Sequence, residues 1–369
     1  MAGLYIHIPF CESKCAYCDF YSLPHTTHAD EYMEALMREY RARRHEITSR
    51  IETIYLGGGT PSMLGRHRLE RLFAMLSDLS PQEFTIEVNP EHIDRDFARF
   101  LSDSPINRVS MGIQSLCDNE LAAISRRHTA TRAIEAVEHL KNAGIVNLSL
   151  DLIFGLPEQT LRSWSYTLDR IIAMHPQHIS AYSLMLEPGT RLYAMFLAGK
   201  IKETPQELSE AMYNHLCHRL DNESYQHYEI SNFALEGYRS QHNSSYWNFT
   251  PYLGLGAGAH SFDGNIRRYN PADLKVYLST PEHSFITEHT APHETFNEYL
   301  LVRLRTKEGI DLTDMEQRFG PTRKNLLLKS ALPYIESGSM LLDNGSLSIA
   351  PHHWLISDSI LVELFAGED

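Results

Sequence analysis

Short strand-like runs alternate with longer helix-like runs six times in the first half of the chain. Strand-like runs lie at 4–10, 53–59, 84–90, 108–115, 146–157 and 178–186, and helix-spaced apolar residues recur over 29–47, 66–79, 130–144 and 160–174. A short helix is expected after the third strand. Strands alternating with helices imply βαβ units, and βαβ units imply parallel pairing. Six units are too few for a closed eight-fold barrel. The expected fold class is therefore α/β: an open or partial (β/α)6 barrel.

From about residue 187 the rhythm stops. One helix is expected at 208–223. The stretch 225–262 is rich in tyrosine, histidine, asparagine and glycine, with neither helical periodicity nor clean alternation, and reads as packed irregular structure or a site-forming loop. Beyond it, 294–310 and 312–320 are helix-like, the second with Gly320 near its end, and 340–350 resembles a hairpin turning at Asn344-Gly345. The expected division is a partial barrel at 1–230, an aromatic and glycine-rich connection at 231–289, and a small α+β domain at 290–369.

The charge excludes some partners. Among 369 residues, 47 acidic side chains outnumber 33 basic ones, a formal net charge of -14. That balance disfavours nucleic acid and anionic membrane as the main partner. No window approaches the roughly 20 apolar residues of a transmembrane helix. The start, MAGLYIHIPF, has neither a basic stretch nor a long apolar run, and five unevenly spaced cysteines do not make a disulfide framework. A cytoplasmic chain with reduced thiols is expected.

Three of those cysteines, Cys11, Cys15 and Cys18, follow the first strand in the spacing C-x3-C-x2-C. Barrels of this kind carry their chemistry at the C-terminal ends of the strands. Gly57, Gly58, Gly59, Glu87, Asn89, Gln114 and Asp151 fall on the same rim. Three readings of the thiols compete: chance or buried cysteines, a zinc site whose fourth ligand would be Asp19, His25 or His28, and an iron–sulfur cluster held by three thiolates with one iron left open. Such an iron could take the amino and carboxylate groups of one small molecule, and S-adenosylmethionine carries both on one carbon. Cys117 and Cys217 read as small buried hydrophobes.

With the barrel rhythm, C-x3-C-x2-C resembles the radical S-adenosylmethionine superfamily. YIHIPFC, GGGTPS (57–62), IEVNP (86–90), SMGIQS (110–115), RRH (126–128) and DLIFGLP (151–157) are similar to its coproporphyrinogen dehydrogenase branch, to which HemN and HemW belong. The resemblance implies a [4Fe-4S] cluster on Cys11, Cys15 and Cys18. It implies that Tyr17 packs at the adenine end of S-adenosylmethionine and that Gly58, Gly59 and Thr60 meet its methionine end, offering backbone N–H groups. Glu87, Gln114, Arg126 and Asp151 would hydrogen-bond the rest, and Tyr5 would lie near the cluster.

Within that branch the chain resembles the HemW-like family. HemN-type decarboxylases carry a further cysteine two positions after the third, where this chain has Phe20. HNSSYW (242–247) matches the family pattern H-N-x-x-Y-W, and YEISNFA and GLGAGAHS flank it. The resemblance implies heme as a further ligand, held by His242, Asn243, Tyr246 and Trp247, and handed to an acceptor protein of respiratory or membrane-associated type. Imidazole suits heme iron, Trp247 and Tyr246 could wall the macrocycle with the tyrosine hydroxyl reaching a propionate, and Asn243 could orient the imidazole. His227 and His260 are alternative ligands. The other function class is a radical enzyme acting on a tetrapyrrole.

Overall fold

Every second side chain of the first six strands is apolar, and that period of two separates two layers. The structure, a computed structural model, describes residues 1–367. Strands β1 (Ala2–Ile8), β2 (Ile51–Gly58), β3 (Glu83–Val88), β4 (Arg108–Gln114), β5 (Asn147–Phe154) and β6 (His178–Ser183) pair in parallel and in chain order. Leu4, Ile6, Ile54, Leu56, Ile86, Val109, Met111 and Leu150 are fully buried in one cluster with Leu36, Leu69, Leu72, Val137 and Leu168 of the connecting helices. The opposite face carries Tyr5, Thr53, Tyr55, Glu87, Arg108, Ser110, Asp151 and His178. Polar groups on this face, Ser149 among them, bond between neighbouring strands: Ser110 to Asp151 at 3.0 Å and Ser149 to His178 at 2.8 Å. A strand with one face on helices and the other in a lumen needs this alternation.

The helices Ala29–Arg43, Gly65–Met75, Ala130–Asn142 and Leu161–Ala173 lie where the apolar spacing put them, the first two ending four residues earlier than expected, and Arg95–Ser102 is the short helix after the third strand. Asp94, Thr129 and Thr160 each accept a backbone N–H as N-caps, which fixes where three of them start. The partial (β/α)6 barrel is therefore present, and it is open.

The stretch expected to be irregular is where sequence and structure part. Gln226–Glu229 and Asn232–Ala234 extend the free edge of β6, the latter antiparallel to it. Tyr252–Leu255 pairs in parallel with β1 on the other edge, and His260–Phe262, Arg267–Tyr269 and Ile286–Thr287 follow outward, making a twelve-stranded sheet. Each strand has at most four residues, too few for alternation to register. Between the two edges the chain crosses the N-terminal ends of the barrel strands as the helix Gln241–Trp247, against β1 and β2.

Glu39, fully buried on the first helix, fastens that second edge. It accepts hydrogen bonds from Arg43 (2.7 Å), Tyr277 (2.7 Å), Asn270 (2.7 Å) and the amide of Gly256 (2.8 Å).

The C-terminal part holds the helix Pro292–Arg303, which ends earlier than the expected 310, then Leu312–Glu336. The latter is two helices broken at Gly320, whose φ of 82° and ψ of 166° are not helical. The hairpin Met340–Asp343 with Ser346–Ile349 turns at Asn344 and Gly345, both at positive φ (47° and 81°), the geometry an Asn-Gly turn prefers. Among the described residues no helix is long and apolar enough to cross a membrane.

Candidate functional site

The cysteine loop leaves the end of β1 and is held from both sides. Gly59 and Thr60 donate their amides to the carbonyls of Ile8 and Phe10 at 2.8 Å each, Ala16 donates to Ile124 at 3.0 Å, and Leu192 donates to Ala16 at 2.7 Å. Arg127 pairs with Glu12 at 2.7 Å. Arg126 donates to Cys15 Sγ at 3.4 Å and, through its other terminal nitrogen, to the carbonyl of Gly112. The 126–128 segment thus clamps the loop from the β4 side. A Cβ on Gly59 would stand 2.7 Å from the carbonyl oxygen of Phe10, so only glycine lets this strand end close against the loop.

Cys11, Cys15 and Cys18 line one cavity of about 480 Å³ at the C-terminal ends of β1–β6. Tyr17, Gly58, Gly59, Thr60, Glu87, Gln114, Arg126 and Asp151 line the same cavity. Residues drawn from four strands and two loops thus converge on one cavity. Tyr5 does not reach the cavity. It sits one layer below, its hydroxyl 3.1 Å from His7 Nδ1.

The three sulfurs are not all within 4.8 Å of one another. Tetrahedral zinc with Zn–S bonds of about 2.3 Å would hold them at about 3.8 Å. The wider spread and the all-thiol donor set fit a polynuclear iron–sulfur cluster better than a single ion. Burial pushes the Cys11 thiol up and the Cys18 thiol up to about 11, so ligation here must release protons.

The glycine-rich segment departs from expectation in one respect. The amides of Gly58, Gly59 and Thr60 are all bonded within the protein, to Glu87 Oε2 (3.2 Å), Ile8 and Phe10. They are not free for a ligand, because this segment spends them closing the strand end onto the loop. Its open geometry comes from missing side chains: at Gly58, with φ of 105°, a Cβ would stand 2.5 Å from the His7 ring.

Two carboxylates face the cavity in different surroundings. Burial raises Glu87 to about 7, against the opposing hydrogen bond from Tyr55 (2.8 Å). Burial also raises Asp151, opposed by hydrogen bonds from Ser180, Ser110 and Ser149 and by the charge of Arg108. Such carboxylates can accept hydrogen bonds from an ammonium or a sugar hydroxyl. Gln114 reaches the cavity from a positive φ of 68°, where the β4–β5 register slips. Gly112, missed in the sequence, makes room for it: a Cβ there would stand 2.8 Å from Gln114 Nε2 and 2.5 Å from Arg126 Nη2. Ser110 and Ser149 were also missed. Their signal was present, since both sit on the polar positions of alternating strands.

The outer margin of the cavity carries exposed apolar side chains beside the exposed polar residues Ser13, Lys14, Asp19 and Ser183. Phe20 is 63% exposed, Met185 65% and Tyr182 42%.

The HNSSYW residues lie elsewhere. His242 is fully buried at the opposite, N-terminal end of the lumen. Its Nδ1 meets Thr53 Oγ1 at 2.8 Å and its Nε2 meets the Tyr246 hydroxyl at 2.9 Å. Burial first, then the charge of Arg108, lower it to about 3, so the ring is neutral. Thr53, not Asn243, orients the imidazole, and the Tyr246 hydroxyl is taken by His242. Asn243 donates its backbone N–H to Ser240 Oγ (3.3 Å), and Trp247 Nε1 is buried with no hydrogen-bond partner. The four residues do not form an open wall in this conformation. His227 is also largely enclosed, stacked on Phe233 with centroids 4.0 Å apart.

The Radical SAM superfamily model matches residues 5–171. The chain is 35% identical to a heme chaperone HemW from Lactococcus lactis over 322 residues, covering 85% of this chain and 84% of that one. It is 32% identical to a heme chaperone HemW from Bacillus subtilis across the full length of both. Coproporphyrinogen III oxidase (HemN) from Escherichia coli, a radical SAM enzyme, superimposes with a TM-score of 0.83 at 23% identity, over 99% of this chain and 90% of that one.

Proposed function

The chain belongs to the HemW family of the radical SAM superfamily, and on that premise we propose that it is a heme chaperone that binds heme and passes it to an acceptor protein. Family membership implies a [4Fe-4S] cluster and S-adenosylmethionine; Cys11, Cys15 and Cys18 would hold the first. Glu87, Gln114, Arg126 and Asp151 would hydrogen-bond the second, with Tyr17 against its adenine and Gly58, Gly59 and Thr60 beside its methionine end. When bound, the pair supplies one-electron reductive cleavage of the sulfonium.

The observation that carries the chaperone reading is the set of exposed apolar side chains on the margin of the cofactor cavity, Phe20, Tyr182 and Met185, with Phe20 where a decarboxylase of this branch would carry cysteine. S-adenosylmethionine is charged and polar and gives no reason to expose a phenylalanine and a methionine above 60%. A flat macrocycle with an apolar face does. Heme would lie over Phe20, Tyr182 and Met185, its edge toward the cofactor. The chain would work in the cytoplasm, and the acceptor is a protein of unassigned identity.

The test is anaerobic reconstitution of the cluster, followed by heme titration in the Soret band and assay for 5′-deoxyadenosine. Heme binding without consumption of coproporphyrinogen III is expected. Consumption of coproporphyrinogen III with no heme binding would favour the radical oxidoreductase reading instead.

A further inference from the structure

We propose that His242 is a positioning residue for Glu87, acting through the ring of Tyr55, and that the HNSSYW helix is the floor of the barrel lumen beneath the cofactor cavity and not the iron ligand of a heme. The inference rests on the reading above only in taking Glu87 as a contact of S-adenosylmethionine.

The helix Gln241–Trp247 is pinned from below. Glu83, at the start of β3, accepts the amides of Gln241 at 2.8 Å and His242 at 2.9 Å. Carboxylates at helix N-termini are favourable, and this one fixes the helix against the barrel. From there the imidazole enters the lumen. Its ring lies 5.1 Å from that of Tyr55 and 6.4 Å from that of Tyr5, stacked on both at 26° and 28°. Tyr55 then donates its hydroxyl to Glu87 Oε1 at 2.8 Å. Glu87 lines the cofactor cavity, with its other oxygen on the amide of Gly58 at 3.2 Å. One continuous file of groups runs from the motif at one end of the barrel to the cavity at the other.

Two glycines show that the file is built. A Cβ at Gly3 would stand 3.1 Å from His242 Cε1 and 3.2 Å from Thr53 Oγ1. A Cβ at Gly57 would stand 2.9 Å from Tyr55 Cε1 and 3.2 Å from the Glu87 carboxyl. Neither glycine has a positive φ, so backbone conformation does not require them. What they supply is space for the two rings.

Iron ligation by His242 would demand that this arrangement come apart. A neutral imidazole has one donor and one acceptor nitrogen, and both are engaged. The ring has no exposed surface. A ligand approaching Nε2 would have to displace the Tyr246 hydroxyl and withdraw the helix from Glu83.

The test uses holoprotein reconstituted anaerobically, with two measurements: the Kd of S-adenosylmethionine by equilibrium dialysis from pH 5.5 to 8.5, and heme by Soret titration. The groups facing Glu87 are Tyr55 on β2, Asp151 on β5, Arg108 on β4, Tyr5 on β1, Tyr182 on β6 and Tyr246 of the helix below; those facing His242 are Tyr5, Tyr55, Tyr246 and Arg108. Tyr55→Phe keeps the ring and removes only the hydroxyl. It should raise the Kd about fivefold at pH 7, the worth of one net hydrogen bond. It should also move the midpoint of the pH profile upward, since the lost donor favoured the ionised carboxyl. His242→Phe should shift both in the same direction while leaving the heme titration as in the unaltered protein. If His242→Phe abolishes the Soret change and leaves the Kd and its pH midpoint untouched, the proposal is overturned. Should that variant not fold, His242→Gln and Tyr55→Phe carry the cofactor measurement, and unchanged values in both overturn it equally. Absence of heme binding in the unaltered protein would sink the chaperone reading and leave the cofactor measurement standing.

Discussion

Tyr55 donates its hydroxyl to Glu87 across 2.8 Å, and so places a hydrogen bond from the middle of the barrel under a carboxyl that faces the cofactor cavity. The two are inward-pointing residues of neighbouring parallel strands. The hydrogen bond holds the carboxyl oriented in a place where burial otherwise favours its neutral form.

That balance predicts a pH signature. Glu87 titrates at about 7 in the folded chain, above the ordinary carboxyl value that the unfolded chain regains. Between those values the folded state holds a proton that the unfolded state has lost. Glu87's contribution to stability is therefore full below pH 4 and falls as pH rises to about 7. Glu87→Gln removes this dependence. The difference in unfolding free energy between the unaltered apoprotein and Glu87→Gln, measured in denaturant from pH 4.5 to 7.5, should decline with pH by at most about 3 kcal/mol. A difference that rises with pH would contradict the assignment.

The cysteine set predicts a loss of iron without a loss of fold. Cys18→Ser should leave far-ultraviolet circular dichroism unchanged, because the loop is anchored by backbone bonds at Ala16, Gly59 and Thr60 that do not involve the thiol. Iron and acid-labile sulfide after anaerobic reconstitution should fall to a small fraction of the unaltered level. Full iron retention would remove Cys18 from the ligand set.

The exposed apolar side chains at the cavity margin predict a separable effect on heme. Phe20→Ser together with Met185→Ala should weaken heme binding about tenfold or more, from roughly 1.5 kcal/mol of lost apolar burial per side chain. Iron content should not change, since neither side chain is a thiol donor. Equal heme affinity in this double variant would move the heme site away from the rim.

Glu39 predicts a large stability effect far from any chemistry. Removing it leaves Arg43, Tyr277, Asn270 and Gly256 without their shared acceptor, with Arg43 itself only 2% exposed. Glu39→Ala should cost about 3–5 kcal/mol, the scale of a broken buried ion pair. Denaturant unfolding near neutral pH reads it directly.

Much of the site was legible because its parts are local. C-x3-C-x2-C places three thiols on one loop, and strand ends at 57–59, 87, 114 and 151 place their polar residues on one rim once the strands are parallel. Alternation foretold the two faces of each strand as well. What local pattern could not give is which groups are already spent. The amides of Gly58, Gly59 and Thr60 look available in sequence, and the fold commits each of them.

The sequence by itself determined the layers, the open barrel, the cysteine loop and the residues around the cavity, since periodicity and short motifs act over a few residues. Only the tertiary structure decided the place of His242. Its partner Thr53 is 189 positions away in the chain, and the helix that carries it is set by two sheet edges built from strands of three and four residues. Such strands have no signal of their own; they exist because a neighbouring strand offers unpaired hydrogen bonds. The chain must therefore cross beneath the barrel to join its two edges, and the imidazole it carries becomes part of the floor.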